Sequence, residues 1–344
     1  MPHEPIETDV IIIGAGPSGL FAVFECGMLG LKCAVFDSLP EIGGQCTALY
    51  PEKPIYDIPG CPEILAGNLI HNLEKQAASF GPSYHLGQQI VSLSNNNGFW
   101  QIETSKAVRA KAMAIIIAAG GGAFGPNRPP LEGIEKFENS PAGNGVQYMV
   151  RRKDDYAGKR VVIAGGGDSA VDWALSLAPI AKSVQIVHRR PKFRAAAESV
   201  RQLEALASQG KVELVVPYQL KDLRGRDGFL TEIIVYDEAS NENRTLEADV
   251  LLPFFGLAAE LGPIADWSLS LSHNHISVDA GTCETSQAGI YAIGDIAAYR
   301  NKLKLILTGF NEAALAAHAI RARLRPDEPL HFEYSTTKGL PGAA

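Results

Sequence analysis

Two glycine-rich turns are the residues of this chain whose types and spacing could do chemistry. The first, Gly14-Ala-Gly16-Pro-Ser18-Gly19, follows the short β-branched run Asp9–Ile13 and opens an apolar helical stretch that reaches about Leu29. Between strand and helix, the spacing G-x-G-x-x-G is a dinucleotide fingerprint. Its first glycine permits a tight turn, the second lets a pyrophosphate approach the backbone, and the third lets helix and strand pack closely. The anion then lies on the helix N-terminus, where free N–H groups and the macrodipole favour negative charge. The second turn, Gly165-Gly-Gly167-Asp168-Ser169-Ala170, stands between Val161–Ala164 and a helix running through about Leu177, and follows the accepted variant with alanine in third place.

The residue that ends the next strand selects the ribose. Asp37 lies 23 positions after Gly14, where a carboxylate accepts hydrogen bonds from both ribose hydroxyls and repels a 2′-phosphate. This half is therefore expected to take an unphosphorylated adenosine ribose, as in FAD or NAD. The same count from Gly165 reaches His188, followed by Arg189 and Arg190, with Lys192 and Arg194 close behind. A cluster of cations there offers charge-assisted hydrogen bonds to a 2′-phosphate, so NADPH is expected over NADH. One FAD fold and one NADPH fold in a single chain describe a flavoenzyme in which hydride passes between cofactors, with little acid–base help from side chains.

The elements that position these turns repeat. Lys32–Phe36 completes a βαβ unit around the first turn and Ser183–Val187 one around the second, the two turns being 151 residues apart. Each unit is followed by a β-meander with a tight turn, at Asn96-Asn-Gly98 and at Arg226-Asp-Gly228, and then by an apolar strand that runs into glycine, at Gly120 and at Gly256. A last short strand ends at Gly294-Asp295, and a long helix is expected from about Gly309 to Leu324. This final piece has no nucleotide turn of its own, so it returns to complete the first domain. The expected fold class is α/β with two Rossmann-like three-layer dinucleotide-binding domains. The FAD-binding domain comprises residues 1–120 and 284–344, and the NADPH-binding domain, residues 121–283, is inserted in it.

A length of 344 residues, 46% of them apolar and 20% charged, suits two folded domains. The formal charge of −7 gives no positive field for sequence-independent nucleic-acid binding. No stretch approaches the roughly 20 apolar residues of a membrane span. The acidic N-terminus lacks the cations of a secretory leader, so a cytoplasmic location is expected. The five cysteines form no C-x-x-C pair and match no zinc spacing. By spacing alone, Cys46 and Cys61 are either a pair meeting across a loop or two separate thiols.

Taken together, "GAGPSGL", "GGQCTALYPEKPIYDIPG", "VVIAGGGDSAVDWAL", "VHRRPKFRA", "YAIGD" and "KLKLILTGFNEAALAAHAI" resemble the ferredoxin–NADP+ reductases of the thioredoxin-reductase-like type, over residues 8 to about 340. The resemblance implies a homodimer with noncovalent FAD that moves electrons between NADPH and a ferredoxin or flavodoxin. It implies that Gly43, Gly44 and Gln45 line the FAD, and that Tyr50 stacks on one flavin face. Asp295 would meet the ribityl-pyrophosphate region, Thr308 would sit near the ring, and Tyr334 would cover the opposite face. Tyr50, Thr308 and Tyr334 are thus the candidate catalytic residues. The family gives no role to a Cys46–Cys61 pair, which makes Cys46 a bystander and favours ferredoxin over a disulfide substrate. The rival readings are an NADPH-dependent disulfide reductase and a flavin oxidase. Because ferredoxins and flavodoxins are acidic, a basic docking face is expected from Lys53, Arg300, Lys302 and Lys304.

Overall fold

The structure, a computed structural model, describes residues 4–138, 145–328 and 339. Tyr334 lies outside these residues. In chain order the principal elements are β1 (Val10–Ile13), α1 (Pro17–Met28), β2 (Cys33–Phe36), α2 (Gln45–Ala48), α3 (Ala66–Ala78), β3 (Ser83–His85) and β4 (Ala114–Ile117). They continue with β5 (Arg160–Ala164), α4 (Asp168–Leu177), β6 (Ser183–Val187), α5 (Ala197–Ser208), β7 (Glu213–Val215), β8 (Val250–Pro253), β9 (Ile290–Ala292) and α6 (Ile306–Leu324). Among the described residues no helix is long and apolar enough to cross a membrane.

The chain divides into two units, one of Met1–Phe124 with Ala259–Ala344 and one of Gly125–Ala258. The return to unit 1 thus comes at Ala259, well before the residue 284 read from the sequence. The reason lies in the core. Leu261, Ile264, Trp267, Leu269 and Ile276 are buried with Ile11, Ile115 and Ile117 of unit 1. Ile264 sits in a 3-10 turn and Ile276 in a three-residue strand, with Leu261, Trp267 and Leu269 in the chain beside them, a stretch with no helical or alternating pattern long enough to announce a domain change.

Unit 1 is built on a parallel sheet in the order β9-β4-β1-β2-β3. The run Val10–Ile13 is continuously apolar because both faces of its strand are covered. Ile11 and Ile13 face Trp100 and Ile102 of the meander, whereas Val10 and Ile12 face α1 and α6 through Ala22, Val23, Ala313, Ala316 and Ala317. Unit 2 repeats the plan on a smaller scale, with a parallel sheet in the order β7-β6-β5-β8 and a three-stranded antiparallel meander over Gln219–Glu247.

The helix α6 begins at Ile306, three residues before the expected start. Its N-cap is Leu305, with no side-chain cap, so the usual Ser, Thr, Asp or Asn signal is missing from the sequence. Ile116, fully buried on the inner strand β4 of the unit 1 sheet, measures the core directly. Ile116→Ala is expected to lower unfolding stability by about 2–5 kcal/mol in chemical denaturation, through lost transfer energy plus the cavity left behind.

Candidate functional site

In-register pairing brings the site of unit 1 together. Ile13 lies beside Phe36 and Ile117, Phe36 beside His85, and Ile117 beside Ala292. Gly14, Asp37, Ala118 and Ile293 therefore leave the sheet along one edge, the carboxyl edge, where open α/β sheets bind ligands. At the turn, Gly14 has φ +110°, and a Cβ on it would lie 2.3 Å from the Ala118 carbonyl oxygen. A Cβ on Gly19 would lie 2.0 Å from the Gly14 carbonyl oxygen, so α1 seats against the strand only without a side chain there. A Cβ on Gly16 would meet nothing within 4 Å. Gly16 is also the N-cap of α1 and makes no side-chain cap bond. The turn thus offers open space in front of unpaired helix N–H groups, which suits a pyrophosphate.

Asp37 accepts hydrogen bonds from Ala15 N at 2.7 Å and Leu39 N at 2.8 Å. Burial raises its carboxyl pKa above the usual value, and these backbone donors pull the other way. The carboxylate is thereby aimed by the turn itself. The Gly43-Gly44 loop folds onto the same turn. Gly43 N donates to Ala15 O at 2.9 Å, and a Cβ on Gly44 would come 3.2 Å from Gly16 Cα. Gln45 then starts α2, which carries Cys46 toward Tyr50.

The Cys46 thiol donates to Tyr50 Oη at 3.8 Å. Burial pushes that thiol up to about 11, with the Tyr50 hydrogen bond opposing the shift, and burial also pushes the Tyr50 phenol well up. All five cysteines are free. A thiol so far from ionisation at neutral pH is a poor nucleophile. Tyr50 packs against the apolar cluster around Leu20, Cys46 and Leu69, and Ile306 and Phe310 of α6 pack against it too.

The last strand delivers Asp295, exposed on the 3-10 turn Gly294–Ile296. Thr308 is half-buried in the first turn of α6. Ser18 joins these parts, because a Cβ on Gly309 would fall 2.1 Å from its Oγ and one on Gly294 would fall 3.0 Å away. One residue escaped the sequence reading. Glu312, 1% exposed, accepts from Gly294 N and from Tyr299 Oη, each at 2.7 Å, and from the Lys302 ammonium. Lys302, expected on a docking face, is instead 7% exposed and paired inside the protein. A lysine in a loop reads as solvated, and nothing local marks an acid ten residues later as its buried partner. The one available signal was a carboxylate among the alanines of the buried stripe of α6.

In unit 2, Ala164 lies beside Val187 and Pro253, so Gly165 and His188 leave the sheet together. A Cβ on Gly165 would lie 2.6 Å from Phe254 O, whereas one on Gly167 would meet nothing within 4 Å. Gly167, Asp168 and Ser169 are exposed at the start of α4. The basic loop folds back over this turn. Arg194 N donates to Gly166 O at 2.6 Å, and Asp168 Oδ1 accepts from Ala196 N at 2.9 Å.

Arg189, Arg190, Lys192 and Arg194 are exposed, and none forms an ion pair among the described residues. His188 behaves differently. Its ring stacks on Phe193 at 5.5 Å and lies where a Cβ on Gly166 would be, 2.3 Å away. Its buried Nε2 has no partner among the described residues. Burial lowers its pKa, and Arg189 and Arg194 add to the lowering. The ring therefore backs the turn, while the arginines stand in solvent.

Two glycine turns on the carboxyl edges of parallel sheets, one followed by a carboxylate and one by a cluster of cations, fit a dinucleotide-dependent oxidoreductase. The chain belongs to the pyridine nucleotide-disulphide oxidoreductase family, whose model matches residues 8–321, and to its ferredoxin–NADP reductase branch. A ferredoxin–NADP reductase of Acidiphilium cryptum is 60% identical over 341 residues, covering 99% of each chain. One of Rhodospirillum rubrum is 57% identical, covering 98% of each. Among solved structures, a thioredoxin reductase of T. acidophilum superposes with a TM-score of 0.78 at 23% identity, over 92% of this chain and 99% of that one. A thioredoxin reductase of Lactococcus lactis gives 0.76 at 23% identity, over 91% and 97%. These two structures establish the thioredoxin-reductase-like fold.

Two outcomes check the site. Native Cys46 is expected to alkylate with iodoacetamide at pH 8 roughly a hundredfold or more slower than in denatured protein, read by peptide mass spectrometry; comparable rates would contradict the buried thiol. Because the folded pKa of His188 is lowered, the unfolded chain takes up its proton first as pH falls through the ordinary imidazole range. Stability is therefore lost on acidification. Denaturant midpoints at pH 7.5 and 5.5 are expected to differ less in His188→Phe than in the wild type.

Proposed function

We propose that this chain is a ferredoxin–NADP+ reductase that holds FAD on unit 1 and NADPH on unit 2. The observation that carries the reading is the contrast at the two strand ends: a carboxylate, Asp37, where the first ribose would lie, and, just past His188, exposed arginines with no ion pair among the described residues where the second would lie. When bound, FAD would supply the hydride and one-electron redox chemistry. The protein's own residues bind and orient. Gly14, Gly16, Ser18 and Gly19 seat the pyrophosphate on α1, Asp37 takes the ribose hydroxyls, and Gly44, Gln45 and Asp295 line the remainder. Tyr50 would stack on one face of the ring and Thr308 would sit near it, while Tyr334, which the resemblance assigns to the opposite face, lies outside the described residues. In unit 2, Gly165, Gly167, Asp168 and Ser169 take the second pyrophosphate, and Arg189, Arg190 and Arg194 hold the 2′-phosphate, with His188 as their backing.

A disulfide substrate would need a thiol able to ionise near the flavin, and the buried Cys46 does not supply one. The partner is therefore a one-electron carrier, a ferredoxin or flavodoxin. A face for it is supported by exposed Arg300 and Lys304 beside exposed Leu303, Leu305 and Leu307, just before Thr308. An apolar centre with a cationic border fits an acidic protein surface. The homodimer implied by the resemblance and the cytoplasmic location read from the sequence complete the reading.

Anaerobic addition of NADPH is expected to bleach the flavin, and ferredoxin to restore its colour. Replacing Arg189 and Arg190 by Ala is expected to lower kcat/KM for NADPH by roughly 10–100-fold, from the loss of charge-assisted hydrogen bonds of about 1.5–3 kcal/mol, while leaving NADH unchanged. Equal use of NADH and NADPH by the wild type, or efficient reduction of a protein disulfide in place of ferredoxin, would overturn the proposal.

A further inference from the structure

We infer that Glu312 is a positioning residue for the FAD site, an inference that rests on reading unit 1 as that site. Two of the groups proposed to meet the cofactor come from separate segments. Asp295 stands on the 3-10 turn Gly294–Ile296, and Thr308 stands in the first turn of α6. Glu312 lies one helical turn after Thr308, on the same face of α6. Its Oε2 accepts from the backbone N–H of Gly294, the residue immediately before Asp295, at 2.7 Å. Its Oε1 accepts from Tyr299 Oη at 2.7 Å and from the Lys302 ammonium. A single carboxylate thus collects three donors from residues 294–302 and fixes that segment against the helix that carries Thr308. Gly309 closes the joint from the other side, where a Cβ would lie 2.1 Å from Ser18 Oγ of the pyrophosphate turn.

Stability alone does not account for such a pair. Both side chains are taken almost wholly out of water, at 7% and 1% exposure. Desolvating two charges costs about as much as their attraction returns, so an apolar pair of similar volume would serve the core as well. An apolar pair would not hold Gly294 N, which would then be a buried donor without an acceptor. Lys302 pairs with the carboxylate inside the protein and Tyr299 fixes its orientation, with the ammonium 5.4 Å from the Tyr299 ring centroid. The device aims Asp295 and Thr308 at one ligand, in the way that supporting residues lock the geometry of a binding group.

The test compares two double variants in full-length protein, reading FAD affinity by fluorescence titration of apoprotein, the visible spectrum of the bound flavin, and thermal unfolding of the apoprotein. Lys302→Met with Glu312→Leu removes the charges and the acceptor together. It is expected to unfold within about 5 °C of wild type, to bind FAD roughly tenfold or more weakly, the scale of losing an outer supporting group, and to shift the fine structure of the flavin band. Lys302→Met with Glu312→Gln returns an acceptor to Gly294 N without a buried charge, and is expected to recover most of the affinity and the wild-type spectrum. If the Leu variant does not fold, Tyr299→Phe, which loosens the carboxylate by one bond, is expected to weaken FAD binding measurably at unchanged unfolding temperature. Wild-type affinity and spectrum in the Leu variant, or in Tyr299→Phe where that variant stands in for it, would overturn the positioning role alone. A wild-type chain that takes up no FAD would instead remove the reading beneath it.

Discussion

The approach of Gly19 to the carbonyl oxygen of Gly14 is the contact on which the rest of unit 1 depends. A side chain on Gly19 would overlap that oxygen, and one on Gly14 would overlap the backbone at Ala118. Without either, α1 starts directly above the ends of β1 and β4. Its unpaired N–H groups then point at open space in front of Gly16, and Asp37, the Gly43-Gly44 loop and the Gly294 turn are all drawn to the same edge. Each later feature is positioned by reference to this joint: Asp37 through Ala15 N, Gly43 through Ala15 O, and α6 through Ser18.

The same scaffold occurs twice, with the sign of the charge reversed at the end of its second strand. In unit 1 a carboxylate is held by backbone donors. In unit 2 the equivalent position is a half-buried imidazole, whose pKa burial lowers, and positive charge stands further out on Arg189, Arg190 and Arg194. This division of labour follows from what each group tolerates. A guanidinium keeps its charge in any surroundings and forks toward phosphate, whereas the imidazole, which burial makes harder to protonate, serves as a flat backing for Gly166.

Much of this was legible in the sequence, because glycine turns, β-branched strand runs and the count of 23 residues to the ribose position are local patterns with direct steric or electrostatic causes. The two βαβ units and most of the residues at their turns followed from them. What stayed hidden depended on contacts distant in the chain. Lys302 read as a surface cation because its partner on α6 is visible only once the helix is packed. The return to unit 1 at Ala259 was hidden because Trp267 and Ile276 enter the core from irregular segments. The start of α6 was misplaced by three residues because its N-cap is a leucine. Thr308, carried by the resemblance, does fall in the first turn of that helix.

The insertion also has a consequence for how the protein is made. β4 is completed on one side by β9, with Ile115 beside Ile290, so the first unit needs both ends of the chain before its sheet can close. On the ribosome, residues 125–258 emerge with all four of their parallel strands and can reach their final pairing while the strands before them still wait for a neighbour. The inserted unit can therefore complete its sheet before unit 1 completes its own, and a chain truncated anywhere before residue 290 would leave the apolar edge of β4 uncovered, a template for aggregation.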